Sequence, residues 1–411
     1  MTANEQVSEQ VNERVNERVS DWATDYDILD PEYVVSPYQV WDDLRQTCPV
    51  AHSDRWGGSW MPTRYADVFA VAHDVEHFSS RDVGVLTFTD EDRPPPPIQL
   101  PLPPIDADPP VHTWTRRLLL PWFSHARVAG YEPMTRELCA RLVDGFIESG
   151  RADAAADYAQ QIPVRVIASI LGVPGDLADT FTGWVRDVLE FAHDEVRSRR
   201  GFDGIVTFLL QQLADRRDDP RDDLISELLQ AEVDGEPVPD EIVMGIAALT
   251  LIAGVDTTWS GIGSALWHLA THPDDTRRLV NEPELMPMAV EELLRAYSPV
   301  TMARIAVDDV DLVGCPVKAG DKVLLNFAAA NRDPDVFDRP NEVILDREQN
   351  RHLAFGAGIH RCAGSNLARM ELRVAIEEWL RRIPEFRLAD GAEVEWAGGQ
   401  VRGPRVCPVV F

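Results

Sequence analysis

Polar residues dominate the start of the chain, where valine recurs every four positions in VNERVNERV. That spacing permits a transient helix, but a segment so polar reads as a disordered extension, residues 1–21. Between Pro37 and Ala72 a helical piece, Tyr38–Gln46, alternates with strand-like runs such as Ser59–Thr63. The text GVLTFTDEDRPPPPIQLPLPPIDADPP then closes a stretch, residues 83–110, whose prolines remove amide donors and exclude helix. From His112 to about Ser298 helical periodicity prevails, with breaks expected at Pro121, Pro163, Pro174, Gly201, Pro220 and Pro237. Residues 300–350 turn β-like, in Val-rich pieces (Ala303–Val307, Lys322–Leu325) divided by Asp-, Gly- and Pro-bearing turns. A helix is expected from Ser365 to Arg382, followed by short strands to the C-terminus. The pattern predicts a mainly α fold with a small β-rich lobe (α+β). Its strands lie mainly within 50–70, 300–350 and 385–411, its helices within 112–298 and 363–382. Residues 22–411 are read as a single domain.

Composition narrows the function classes. The formal net charge is −30, from 39 basic and 69 acidic side chains, which opposes non-specific nucleic-acid binding. No run of about 18 apolar residues is evident that could span a bilayer, and the polar start offers no signal-peptide centre. A cytoplasmic, monomeric protein is expected. Five cysteines (Cys48, Cys139, Cys315, Cys362 and Cys407) are scattered without a CxxC pair, so neither a disulfide framework nor a structural zinc site is expected.

One of these cysteines has unusual company. Residues 353–364 read LAFGAGIHRCAG. Gly356 and Gly358 let the backbone take positive φ and approach a flat cofactor closely. The helix from Ser365 puts the Cys362 sulfur at the positive end of a dipole among free amides, a setting that lowers a thiol's pKa and suits a permanent metal ligand. Phe355 can pack beside the sulfur and exclude water. The alternative, a buried structural cysteine at a glycine turn, accounts for none of these neighbours. FGAGIHRCAG resembles the cysteine-ligand loop of the cytochrome P450 superfamily, with Phe355, Gly356, Gly358, Cys362 and Gly364 on signature positions. The likeness extends from about residue 30 to the C-terminus. It implies a triangular, mainly helical prism that binds haem b (iron protoporphyrin IX), with Cys362 as the axial ligand of the iron.

Upstream, EIVMGIAALTLIAGVDTTWSGIGSALWHLA reads as one long apolar helix over residues 241–270. An acid and two hydroxyls inside it cost stability unless satisfied or used. Gly254 removes a side chain where a small ligand could lie, and Thr257 can bond the Ala253 carbonyl and loosen the ladder. A kink with a salt-bridged aspartate is the plainer reading of that segment alone. AGVDTT, however, matches the superfamily's oxygen-activation motif. The resemblance implies that Thr257 positions dioxygen and water while Asp256 relays protons.

The same resemblance supplies the remaining expectations. Glu292 and Arg295, three apart on a helix, form a structural pair; the usual third member is missing, since Glu342 stands where arginine is common, and Arg347 is a substitute. His112, Arg116, Arg304 and His360 offer cations to the two haem carboxylates. Val83, Val85, Leu86, Phe88, Leu249, Ala253 and Val300 are expected to line a pocket for a small or medium hydrophobic substrate, as is the segment Trp184–Ala192. With no reductase fused, NAD(P)H is used indirectly: electrons arrive from a ferredoxin-type iron–sulfur donor served by a flavin reductase. Arg117, Arg127, Arg361 and Arg369 are candidates for the docking patch. The implied reaction is hydroxylation or oxidative dealkylation with O2. The competing reading is a non-catalytic haem-thiolate gas sensor or haem carrier, which has no use for Asp256 and Thr257.

Overall fold

The computed structural model describes residues 18–86 and 100–411. Residues 1–17 of the expected extension, and Phe88 of the expected pocket, lie outside the described residues. Residues 18–21 already belong to the fold, which corrects the limit of the extension. Ser20 donates to the Asp25 carboxylate through both its amide and its hydroxyl, and Arg55 donates to the Arg18 carbonyl.

Ten helices and seven strands frame the site. The helices are α1 (Tyr38–Thr47), α2 (Tyr65–His73), α3 (Val111–Leu119), α4 (His125–Phe146), α5 (Gln161–Ile170), α6 (Ala178–Leu189), α7 (Glu195–Asp218), α8 (Asp240–Thr271), α9 (Met286–Ala296) and α10 (Ser365–Arg382). The strands are β1 (Val50–Ser53), β2 (Ser59–Pro62), β3 (Phe78–Ser79), β4 (Thr301–Ala306), β5 (Lys322–Asn326), β6 (Glu395–Ala397) and β7 (Gly403–Val406). Helix is thus the bulk of the molecule, and six of these seven strands fall within the stretches expected to be β-rich, whereas β3 lies outside them. The five-stranded sheet runs β1-β2-β5-β4-β3, antiparallel throughout except for the β2–β5 pair. All five positions of β5 are buried, so it sits inside the sheet with both faces covered.

Helix α8 is apolar on nearly every face because it runs through the core rather than along it. It is long and apolar enough to cross a bilayer, which corrects the expectation that no such run exists; 78% of its most apolar window is buried within the protein. Helix α10 packs against α4 and α8, its Trp379 fully buried 5.1 Å from the Tyr158 ring.

Two expected breaks do not break. Pro163 sits at the third position of α5, directly after a π-helical turn over Ala154–Ala159, so the chain stays helical through it while the ladder changes type just upstream. Gly201 lies inside α7 because a Cβ there would stand 2.6 Å from the Trp184 carbonyl and 2.7 Å from Asp187 Cβ. The missing side chain is what lets α6 and α7 touch.

Candidate active site

A cavity of about 500 Å³ opens between the Cys362 loop, α8, α10 and β4. Cys362 and Gly364 line one wall; Ala253, Gly254 and Thr257 line another. The loop reaches this position by two backbone reversals, Gly356 at φ +68° and Gly358 at φ +67°. At Gly358 a Cβ would overlap the Ala72 carbonyl, so its close approach is to α2 and not to a cofactor. The Cys362 amide donates to the Phe355 carbonyl at 2.8 Å, closing the turn that directs the sulfur inward. Gly364 then caps α10.

The sequence-based expectation of a depressed Cys362 pKa is corrected here. Among the protein's own groups burial is the largest influence and pushes the thiol up; the Gly364 amide, Arg116, Arg361 and Arg369 pull the other way without prevailing. A metal bound at the sulfur would add positive charge there and favour the thiolate.

Two arginines and two imidazoles gather on the same cavity. Arg304 is 5% exposed, and its guanidinium donates to the carbonyl of its own neighbour Ala303. Burial lowers its pKa to about 10. Arg116 donates to the Arg361 carbonyl, and burial lowers its pKa as well. The His360 Nε2 meets the Ser80 hydroxyl at 2.9 Å. Burial first, then Arg304, His112 and Arg116, hold its pKa down at about 3. His112 stands behind, its ring 4.3 Å from that of His360 and its Nε2 on the Ile359 carbonyl. Among the described residues none of the four has a carboxylate within ion-pair distance. Buried cations without anions are costly, and the missing counterpart is an acidic ligand. A flat dianionic cofactor with a metal above Cys362 fits this donor set.

On the opposite wall Thr257 donates to the Ala253 carbonyl at 2.8 Å, inside an unbroken helix. Gly254 is explained differently from the sequence reading: a Cβ there would stand 2.5 Å from Ile167 Cδ1, so glycine also lets α5 pack on α8. Asp256 faces away from the cavity and is 1% exposed. Its Oδ1 lies 2.8 Å from Arg405 Nη2, yet the two are not aligned for a hydrogen bond, and neither carboxylate oxygen has a donor. Burial raises the Asp256 pKa, Arg405 and Arg186 oppose that, and Glu190 adds to it.

Val83, Val85, Leu86, Leu249, Ala253 and Val300 all line the cavity, as do Phe355 and Gly356. The segment 184–192 contributes Val188, Leu189, Glu190 and Ala192. Away from it, Glu292 and Arg295 form a fully buried pair at 2.8 Å. Arg347 Nε reaches Glu292 at 2.9 Å, whereas Glu342 gives this network its carbonyl, to Arg295 and Arg347, and turns its carboxylate to Arg339. In the expected docking patch Arg369 is bound by Glu291 through two hydrogen bonds and stacks 4.4 Å over Phe355, while Arg127 stacks on Trp122.

Sequence reasoning missed Arg405 and Glu190, because nothing local marks an arginine in a Gly-Pro-Arg strand as the partner of Asp256. It also missed Glu371, a cavity-lining acid, 1% exposed, whose Oε1 has no partner and whose pKa burial raises well above the usual carboxylate range.

Comparison with known proteins agrees with this geometry. Residues 176–390 match the Cytochrome P450 family model. Probable cytochrome P450 127A1 of Sinorhizobium fredii is 37% identical, over 84% of this chain and 82% of that protein. Mycinamicin IV hydroxylase/epoxidase of Micromonospora griseorubida is 36% identical over 90% of this chain and 94% of its own length. The crystal structure of CYP109E1 from Bacillus megaterium in complex with testosterone superposes with a TM-score of 0.84 at 30% identity, covering 92% of this chain and 98% of that one. The chain belongs to the cytochrome P450 family and is a haem-thiolate monooxygenase acting with O2 on an organic substrate.

Proposed function

We propose that the domain expected over residues 22–411, together with residues 18–21, acts as one unit that hydroxylates or oxidatively dealkylates a hydrophobic molecule seated against Val83, Val85, Leu86, Leu249 and Val300. The observation that carries this reading is the placement of Cys362 and Thr257 on facing walls of one apolar cavity that also holds Arg116 and Arg304, neither within ion-pair distance of a described carboxylate. Haem bound there supplies the reduction of dioxygen and the insertion of one oxygen atom. Cys362 would hold the iron, with Phe355 and Gly356 beside it; Arg116 and Arg304 would neutralise its carboxylates, and His112 and His360 would add hydrogen-bonding groups there. Because Thr257 gives its proton to Ala253, its oxygen presents lone pairs to the cavity and can hold a water at the reacting centre. Asp256 passes protons toward that water at its carboxylate oxygens, which no protein donor occupies.

The substrates named for relatives, mycinamicin IV and the testosterone of the complex, suit a cavity with few polar groups on its substrate side. Electrons are taken to come from a separate ferredoxin and its NAD(P)H-dependent flavin reductase in the cytoplasm. Exposed Arg117 and Arg361, near the Cys362 loop, give an acidic donor a place to dock on this monomer.

Two substitutions test the reading. Cys362→Ser should abolish the long-wavelength absorption band of the reduced, carbon-monoxide-treated protein; an unaltered spectrum overturns it. Thr257→Ala should keep that band but divert electrons from product to hydrogen peroxide, with testosterone as the first probe and other hydrophobic compounds screened by haem-band shift. Product formation at the wild-type yield per electron would remove Thr257 from the mechanism.

A further inference from the structure

Asp256 belongs to a set of four charges drawn from three parts of the chain, of which only Arg186 is substantially exposed, at 36%. Arg405 on β7 bonds Glu190 through Nε at 2.9 Å and Ser260 through Nη1 at 3.0 Å, and it turns Nη2 to Asp256. Glu190, just past the end of α6, also takes two bonds from Arg186, at 2.9 and 2.8 Å. The two arginines and two acids balance, with the Arg405 side chain 6% exposed, Glu190 13% and Asp256 1%. The guanidinium of Arg405 lies 4.2 Å over the Trp259 ring. Strand β7 is fixed against α8: a Cβ on Gly403 would stand 2.7 Å from Ser260 Cα, and one on Gly263 would stand 2.9 Å from Pro404 Cγ. Arg405 therefore has a rigid base. Glu190, held by three hydrogen bonds, also lines the substrate cavity.

We infer that Arg405 is a positioning residue for the reaction: it holds Asp256 by charge alone and is shared with Glu190, so the cavity wall sets how firmly the proton-handling acid is held. The inference rests on the reading of Asp256 as the proton carrier. Two hydrogen bonds and one ion pair on a single guanidinium are not independent. If Glu190 is drawn toward material in the cavity, Arg405 shifts toward Asp256 or away from it, and the charge felt by Asp256 changes. The groups facing Asp256 are Arg405 from β7 and Glu190 and Arg186 from α6, with Ser260 and Trp259 on its own helix. Farther out, Asp187 is already paired with Arg197 and Arg200.

The test follows the protonation of Asp256 directly. In the haem-loaded enzyme, the infrared carbonyl band of a protonated carboxyl that vanishes in Asp256→Asn identifies this group, and its titration midpoint is then measured. Arg405→Gln should raise the midpoint by about one pH unit or more, corresponding to a roughly tenfold change in proton affinity. Glu190→Gln should lower it, and Arg405→Lys should restore it most of the way. Opposite signs are the signature, because a general loosening of the fold would move both variants alike. Midpoints unchanged in Arg405→Gln and Glu190→Gln, or moved in the same direction, overturn the inference. Should Arg405→Gln lose the carbon-monoxide band, Arg405→Lys and Glu190→Gln decide alone: a lowered midpoint in Glu190→Gln with a near-normal one in Arg405→Lys supports it, and any other pair overturns it. The underlying reading fails separately, if Asp256→Asn forms product from testosterone or another band-shifting compound at the wild-type rate.

Discussion

At the scale of single residues, competing influences on one group decide the chemistry. For Cys362 the helix end and three arginines favour the thiolate, and burial outweighs them. For Glu291 the balance falls the other way: burial raises its pKa, but hydrogen bonds from Arg369 and His352 bring it down to about 2. A carboxylate depressed below its unfolded value stabilises the fold above that value, and the benefit is lost as pH falls toward the folded one. Glu291→Gln should therefore lower stability at neutral pH by no more than about 2 kcal/mol, since solvent screens a carboxylate that is 31% exposed. The gap from wild type should close between about pH 4.5 and pH 2. Thermal unfolding of both proteins across that range measures it; a gap that persists at the acid end would mean packing, not charge, is responsible.

At the scale of elements, glycines in helix interiors set how closely helices approach. Gly201 is the clearest case, with the Trp184 carbonyl and Asp187 Cβ where its side chain would be. Alanine there gains about 1 kcal/mol of helix propensity but introduces an overpacking cost of about 1–3 kcal/mol. A net loss is expected, read as a lowered Tm for Gly201→Ala. Because α6 carries Val188, Leu189 and Glu190 to the cavity, the same variant should also bind testosterone or another band-shifting compound more weakly. An unchanged Tm would show that α6 gives way without cost.

At the scale of the whole molecule, buried charge ties distant segments together. Glu292 accepts from Arg295, Arg347, Asn350 and the Ile344 amide. Arg295 in turn donates to the carbonyls of Asn331, Pro340 and Glu342. This network fastens α9 to the segment that leads into the Cys362 loop. Glu292→Gln leaves two buried arginines without their counter-charge and should cost about 3–5 kcal/mol, measured by urea unfolding of the haem-loaded protein. A loss under about 1 kcal/mol would show that the carbonyls alone suffice.

Sequence alone determined whatever is written in consecutive residues. The loop Phe355–Gly364, the helix from Ser365, the Ala253–Thr258 motif on an apolar helix and the mainly α architecture were all legible, because periodicity and turn chemistry act over a few positions. Arg347 could be named as a partner of Glu292 because a resemblance told where to look. The partner of Asp256 could not, since Arg405 and Glu190 meet it only after β7 has packed on α8 and α6 has closed beside them. Only the tertiary structure decided which glycines serve a neighbouring helix and which way each pKa moves. Burial is a property of the assembled core, and no local run of residues carries it.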